Sequence, residues 1–337
     1  MTTIFLSFDP AGRDLYYGDK ALAGLRALGE VRLNRRSGAL DLAELRAAAR
    51  GCQVIVADRR TPGEAGLFEG NRELAVFLRC AMDIRNVDVA AASAAGVLVT
   101  RASAGFATAV AEWVVGAMLD LSRGFSRSAL AYRSGALPAV AMGRELRGAT
   151  LGVIGYGQIG QRVAALGLAL GMQVAVSDPF ESLADPALQA YALDHLLAQS
   201  DFVVCLAPAS ADTENMMNDQ RFGRMKRGAF FLNAARGELV DEAALLRALD
   251  SGHLAGCALD VGRAPDQMPS TALARHPLVI ATPHIGGLTP PAVEHQALET
   301  VAQLAELLRG GMPVGAVNAS HARRLAKWRG AGRADST

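Results

Sequence analysis

From residue 150 to residue 284 the chain alternates short, β-branched, almost wholly apolar runs with stretches in which apolar residues return every three or four positions. Apolar runs of five or six residues predict strands covered on both faces, and the longer period between them predicts helices lying on those faces. This is the pattern of βαβ units in a parallel sheet. Six strands are predicted, at 150–155, 173–178, 201–206, 229–233, 256–260 and 278–282, with helices among them at 160–170, 193–199 and 241–250. Ser251-Gly252 closes the last helix, since glycine adopts the left-handed turn at a helix end without strain. The expectation is a six-stranded doubly wound domain.

The first hundred residues repeat the alternation on a smaller scale: strands in TIFLSF, EVRLN, QVIVAD and VLVT, and helices near 19–28 and 41–49. A second α/β domain is expected there. Residues 108–121 carry apolar side chains at helical spacing and few charges, which predicts a long helix packed between domains or subunits, with plain core packing as the simpler role. A last helix near 291–308, after Gly286-Gly287, is long enough to return the chain to the first domain. The fold class is therefore α/β, with two Rossmann-like or flavodoxin-like domains, doubly wound parallel sheets, and one domain discontinuous in sequence. Residues 1–102 with 288–318 form the discontinuous domain and residues 103–287 the other. Residues 319–337, with Arg323, Arg324, Lys327, Arg329 and Arg333, read as a basic flexible tail.

The length of 337 residues agrees with two domains at roughly 150 residues each. With 51% hydrophobic and 20% charged residues there is apolar material for a core in each. The 34 Lys+Arg balance 33 Asp+Glu to a net charge of +1, so no global field gathers nucleic acid or an anionic membrane, and neither is an expected partner. Cys52, Cys80, Cys205 and Cys257 lie far apart without CxxC spacing, which predicts reduced thiols and no metal cluster. The segment MTTIFLSFDPAGRD lacks a basic leader, and no apolar run approaches membrane-spanning length. A cytoplasmic protein is expected.

Gly155-Tyr-Gly157-Gln158-Ile159-Gly160 has the GxGxxG form, although 35 glycines would produce roughly 0.4 such matches by chance. Its context gives it weight: an apolar strand runs into the first glycine and a helix opens at the third. Gly155 permits the tight turn, Gly157 lets the backbone approach a pyrophosphate, and Gly160 lets the helix lie close to its strand. The helix N-terminus supplies free N–H groups and positive dipole. Asp178 ends the next strand, where a carboxylate accepts from ribose hydroxyls and repels a 2′-phosphate. NAD is thus preferred to NADP.

The stretch from Met225 to Leu245, with Asn233, Arg236, Gly237, Val240 and Asp241 inside it, is followed by Ala258-Leu259-Asp260-Val261 and Thr282-Pro283-His284-Ile285-Gly286-Gly287. Together with Asn86-Val87-Asp88 and Val110-Ala111-Glu112, these motifs resemble the NAD-dependent D-isomer-specific 2-hydroxyacid dehydrogenases, over residues of about 50 to 315. Reduction of a 2-keto acid needs a cation for the carboxylate and carbonyl, a hydride, and a proton for the new alkoxide. Arg236, past a strand's carboxyl end, suits the first role. His284, with an ordinary pKa near ~6.5, suits the proton transfer. The resemblance implies that Pro208, Thr213, Ala234, Arg236, Asp260, His284 and Gly286 join Gly155, Gly157, Gln158, Ile159, Gly160 and Asp178 around the cofactor. It further implies that Ala81, Met82 and Asp83 join Arg236 around a small 2-keto or 2-hydroxy acid, and that the protein is a homodimer joined through the 108–121 helix and the segment before Thr150.

Three positions depart from the family pattern. Pro265 stands where the family carries a glutamate that holds the histidine, and Asp266 is one position off and one methylene shorter. Cys80-Ala81-Met82-Asp83-Ile84-Arg85 replaces a glycine-rich loop whose N–H groups hold the substrate carboxylate, and Phe106 stands at a customary Asn. A histidine without a carboxylate partner would titrate lower than in relatives, which shifts the reduction optimum to acid. Arg59 and Arg60 could hold a second anionic group of a substrate, surface pairing being the plainer account; Met82 and Phe106 could select an apolar tail. Loss of the glutamate keeps an alternative open, an NAD(H)-responsive binding protein on the same scaffold.

Overall fold

A computed structural model of the chain describes residues 1–183 and 185–334. It divides into two units, Met1–Gly105 with Pro290–Thr337, and Phe106–Thr289.

In the first unit the chain runs through β1 (Thr3–Leu6), α1 (Pro10–Tyr16), α2 (Gly18–Leu28), β2 (Glu30–Leu33), α3 (Leu42–Ala48), β3 (Val54–Ala57), α4 (Ala65–Gly70), β4 (Val76–Arg79), α5 (Val89–Ala95) and β5 (Leu98–Arg101). The strands pair in parallel in the order β2-β1-β3-β4-β5, the flavodoxin-like arrangement. Every residue of β1, β3 and β4 is buried, which is why these segments read as unbroken apolar runs and not as alternating ones. The order reverses between β1 and β3, so the crevice beyond their carboxyl ends belongs to Ser7–Asp9 and Asp58–Arg60. β4 is a strand beyond the four predicted here. Its run is only four residues long and ends on Arg79, whose guanidinium is wholly buried.

The second unit contains α6 (Ala107–Arg123), α7 (Phe125–Arg133), β6 (Thr150–Ile154), α8 (Gln158–Ala169), β7 (Gln173–Ser177), β8 (Leu188–Ala190), α9 (Leu193–Gln199), β9 (Phe202–Cys205), α10 (Asp219–Arg224), β10 (Ala229–Asn233), α11 (Glu242–Asp250), β11 (Leu254–Leu259), α12 (Thr271–Ala274) and β12 (Val279–Ala281). Among the described residues seven parallel strands, not six, follow the order β12-β11-β10-β9-β6-β7-β8. The addition, β8, is three residues long with one buried side chain, too short for any periodicity to announce it. α6 buries Ala111, Val114 and Met118 in the core formed with Val153, Phe202 and Leu232, so this helix is a structural member of the second unit. α8 lies close on β6 because Gly167 has no side chain; a Cβ there would stand 2.7 Å from Leu151. Asp241 caps α11 by accepting from the N–H groups of Ala243 (3.0 Å) and Ala244 (3.1 Å).

α13 (Pro290–Leu308) carries the chain back to the first unit, where Ala297, Leu304 and Leu307 enter the core against Leu22 and Leu25. Among the described residues no helix is long and apolar enough to cross a membrane, and all four cysteines are free and buried.

The described part of the basic C-terminal segment takes helical form. A 3-10 turn at Ala319–His321 leads into α14 (Arg323–Ala334); residues 335–337 lie outside the described residues. Leu325 and Trp328 pack on the core of the first unit. The cations find backbone carbonyls at the ends of three helices. Arg323 donates to Ala94 O at the end of α5 (2.7 Å), and Arg329 to Leu307 O near the end of α13 (3.0 Å). Arg324 donates to Phe68 O in α4 (3.1 Å) and to Asn71 O (2.8 Å) and Leu74 O (2.9 Å) beyond it. Helix C-termini leave carbonyls unpaired and carry partial negative charge, so a guanidinium is a fitting cap. Replacing Arg324 by Ala is expected to cost about 2 kcal/mol, while Lys327→Ala on the exposed side of α14 stays within about 0.5 kcal/mol. Thermal unfolding of the two variants checks this; equal midpoints would refute the capping role.

Candidate functional site

In the second unit the candidate residues gather at the carboxyl ends of the strands. β6 runs directly into Gly155, whose φ of +93° is left-handed and whose Cβ, if present, would stand 2.7 Å from Ala207 N. A Cβ on Gly160 would meet Gly155 O at 2.1 Å. These two glycines are demanded by the fold. Gly157 is not: among the described residues nothing lies within 4 Å of its Cβ position, so the absent side chain leaves room for a ligand. α8 opens at Gln158, and helix geometry leaves the first N–H groups, those of Gln158, Ile159 and Gly160, without intrahelical partners. A diphosphate fits this cradle by charge and by space.

Asp178 follows β7 and steadies the same loop. Its Oδ2 accepts from Tyr156 N (2.7 Å) and its Oδ1 from Phe180 N (2.8 Å). Oδ1 also accepts from Glu181 N (3.2 Å), and Oδ2, with one donor, keeps acceptor capacity for a ribose hydroxyl. Beyond β9, Thr213 Oγ1 donates to Pro208 O (2.8 Å) and accepts from Ser210 N (2.8 Å), closing a compact loop over that strand's end.

β10, β11 and β12 are neighbours in the sheet, and their carboxyl ends carry Arg236, Asp260 and His284. After β10, buried Asn233 shapes the turn: its Nδ2 donates to Arg236 O (2.8 Å) and its Oδ1 accepts from Ala235 N (3.1 Å). Ala234 N reaches back to Cys205 O (3.4 Å). Arg236 has one guanidinium nitrogen on Ala235 O at 2.7 Å. Asp260, 3% exposed, binds the turn after β12. Its Oδ1 accepts from Thr282 Oγ1 (2.7 Å) and Ile285 N (2.8 Å), and its Oδ2 from Gly286 N (2.8 Å). Asn233, Thr282 and Asn86 stand in the motifs read from the sequence, but their organising role, each bonding the main chain or a side chain of a neighbouring turn, is visible only in the structure.

His284 has a left-handed backbone, φ +56°, and Asp266 and Gln267 share that conformation at +59° and +58°. Non-glycine residues held there are strained. The imidazole Nδ1 lies 3.0 Å from the backbone carbonyl of Asp266. A carbonyl only accepts, so Nδ1 carries the proton in this contact. The turn at Pro265–Gln267 brings the main chain of Asp266 to the ring. Phe106, at the start of α6, packs on the backbone of Gly287, whose Cβ would be 3.0 Å from Phe106 Cβ.

In the first unit Arg60 is engaged by two carboxylates, Asp9 Oδ2 (3.2 Å) and Asp58 Oδ2 (3.3 Å). The suggestion that it holds a substrate's second anion gives way to this structural pairing. The N–H of Gly12, with Arg60 and Gly38 behind it, keeps the Asp9 carboxyl below the usual carboxylate range against the effect of its burial. Arg79 donates to Asp58 O and Asn86 Oδ1, while burial lowers its pKa to about 10. Asn86 Nδ2 donates in turn to Arg59 O (3.1 Å). Arg79 and Asn86 thus tie together the loops that follow β3 and β4. In the second of these, Ala81 O accepts from Ala102 N (3.1 Å), and Arg85 grips Asp83 with Nε at 3.1 Å and Nη2 at 2.9 Å. Met82 is 37% exposed.

The two kinds of glycine in the cradle separate under mutation. Gly157→Ala is expected to leave the melting temperature unchanged and to weaken NADH binding by about tenfold or more, since the methyl occupies ligand space only. Gly160→Ala is expected to lower both. Fluorescence titration with NADH beside thermal unfolding reads this, and an unaltered affinity in Gly157→Ala would sink the cradle.

Residues 115–286 match the family model described as D-isomer specific 2-hydroxyacid dehydrogenase, NAD binding domain. The chain is 35% identical over 286 residues to D-3-phosphoglycerate dehydrogenase 3, chloroplastic, of Arabidopsis thaliana, covering 83% of this chain and 48% of that one. It therefore spans about half the length of that plant relative. It is 33% identical over 256 residues to hydroxypyruvate reductase of Thermotoga maritima, covering 74% of this chain and 83% of the relative. The crystal structure of TT0316 protein from Thermus thermophilus superposes with a TM-score of 0.84 at 31% identity, over 94% of this chain and 100% of that one. The glycine cradle and Asp178 fit the NAD of that family model, and the chain belongs to the D-isomer specific 2-hydroxyacid dehydrogenase family.

Proposed function

We propose that this protein interconverts a small 2-keto acid and its D-2-hydroxy acid with NAD(H), the unit 106–289 holding the cofactor and the other unit the substrate. The observation that carries this reading is the succession of Arg236, Asp260 and His284 on three adjacent strand ends beside the dinucleotide cradle. The nicotinamide supplies the hydride chemistry. Arg236 grips the carboxylate and polarises the carbonyl with its planar fork. His284, oriented through Nδ1, gives a proton from Nε2 to the alkoxide in reduction and takes one in oxidation. The segment Ala81-Met82-Asp83 contacts the substrate from its own unit, with Met82 offering apolar surface.

A homodimer accompanies this reading. α7 has no buried residue, and Phe125, Leu130, Leu137, Val140 and Met142 are exposed on it and on the segment after it. So much apolar surface along one segment suits a second copy. Sedimentation at micromolar concentration is expected to give a dimer; a monomer would remove this part.

Turnover of NADH is expected with at least one of glyoxylate, hydroxypyruvate, phenylpyruvate or 2-oxoglutarate, followed at 340 nm. His284→Gln is expected to reduce kcat by about 10²- to 10⁴-fold with NADH binding retained. In the active protein, Pro265→Glu brings a carboxylate toward His284. A nearby negative charge favours the imidazolium and raises its pKa, so reduction should persist to higher pH than in the parent. An unchanged pH profile in that variant would refute the assigned surroundings of His284. Tight NADH binding without turnover of any 2-keto acid would favour an NAD(H)-responsive binding protein.

A further inference from the structure

The backbone of His284 is held in a strained conformation from a distance. Its N–H is shared between Asp260 O (3.0 Å) and Thr282 O (2.9 Å), and the next two N–H groups fall on the Asp260 carboxylate. Asp260 is held in turn by the Thr282 hydroxyl at 2.7 Å, which leaves Thr282 Oγ1 as an acceptor. That acceptor site is taken by the indole N–H of Trp113, 3.1 Å away. Trp113 lies in the second turn of α6, the helix embedded in the sheet core through Ala111, Val114 and Met118. Its ring also lies 3.6 Å from the Cβ position of Gly286. Every donor in this row points the same way, from indole to hydroxyl to carboxylate, so each bond strengthens the next.

We propose that Trp113 is a positioning residue for His284, fixing the 282–286 turn through Thr282 and Asp260 and so aiming the imidazole at the reacting oxygen. This rests on the reading of His284 as the acid/base. α6 is a 17-residue helix, and the indole passes its rigidity to a turn that would otherwise relax out of the left-handed region. Trp113 touches neither substrate nor reacting atoms in this account. Its effect is on the fraction of molecules whose histidine is correctly aimed, which enters kcat more than affinity.

Trp113→Phe keeps the ring and removes the N–H; Thr282→Val keeps the shape and removes the hydroxyl; Thr282→Ser restores it. Each of the first two variants is expected to lower kcat about five- to tenfold with KM and NADH affinity within about twofold, and Thr282→Ser to stay near the parent. The double variant Trp113→Phe/Thr282→Val is expected to lose no more than the worse single one, because both interrupt one row of bonds. Amide exchange of a peptide covering residues 282–289, followed by mass spectrometry, is expected to quicken by about tenfold or more in both single variants at unchanged melting temperature. Unchanged exchange, or multiplicative loss of kcat in the double variant, would overturn the proposal. His284→Gln, run in parallel, separates the two readings: full activity there removes the acid/base role, while exchange at 282–289 still decides whether Trp113 holds the turn.

Discussion

The carboxylate of Asp260 governs the geometry at the carboxyl edge of the second sheet. It is buried, and a carboxylate taken out of water without donors is costly. Here three donors meet it, one hydroxyl and two main-chain N–H groups. Charge-assisted bonds of this kind are shorter and roughly twice as strong as neutral ones. They offset what it costs to keep His284 at φ +56°. Arg236 depends on the same edge, since Asp260 N donates to Asn233 O (3.1 Å) and Asn233 shapes the turn that presents the arginine. Asp260, through its carboxylate on one side and its main-chain N–H on the other, thus ties the turns that carry His284 and Arg236 to a common frame.

Much of the fold was legible in the sequence because central parallel strands are covered on both faces and must be apolar throughout. TLGVIG, FVVC and AFFLN admit few alternatives to buried strands, and the helix after Gly160 is announced by its turn. What escaped was of two kinds. β8 and β4 are short, and β4 ends on an arginine that composition would place at the surface; its burial is made tolerable by Asp58 O and Asn86, which are remote in sequence or masked as loop residues. The C-terminal cations of Arg323, Arg324 and Arg329 read as solvated because a sequence displays charges and conceals the carbonyls they meet.

The candidate site divides along the same line. Side chains whose chemistry defines their role, such as Arg236, His284, Asp178 and the three glycines, are visible as letters in a spaced pattern. Contacts made by main chain are not. The Asp266 carbonyl that orients His284 has no sequence signature, and neither has the engagement of Arg60 by Asp9 and Asp58, which needs the ends of β1 and β3 brought together.

The carbonyl contact to His284 also has an evolutionary consequence. A glutamate that orients a histidine is encoded by one codon, and a single base change removes it. A main-chain carbonyl survives any change of side chain at its own position that leaves the path of the loop intact. At position 266 the limiting property is tolerance of the left-handed region, which Asp, Asn and Gly all possess. Selection on this main-chain contact therefore acts on the shape of the 264–268 loop as a whole.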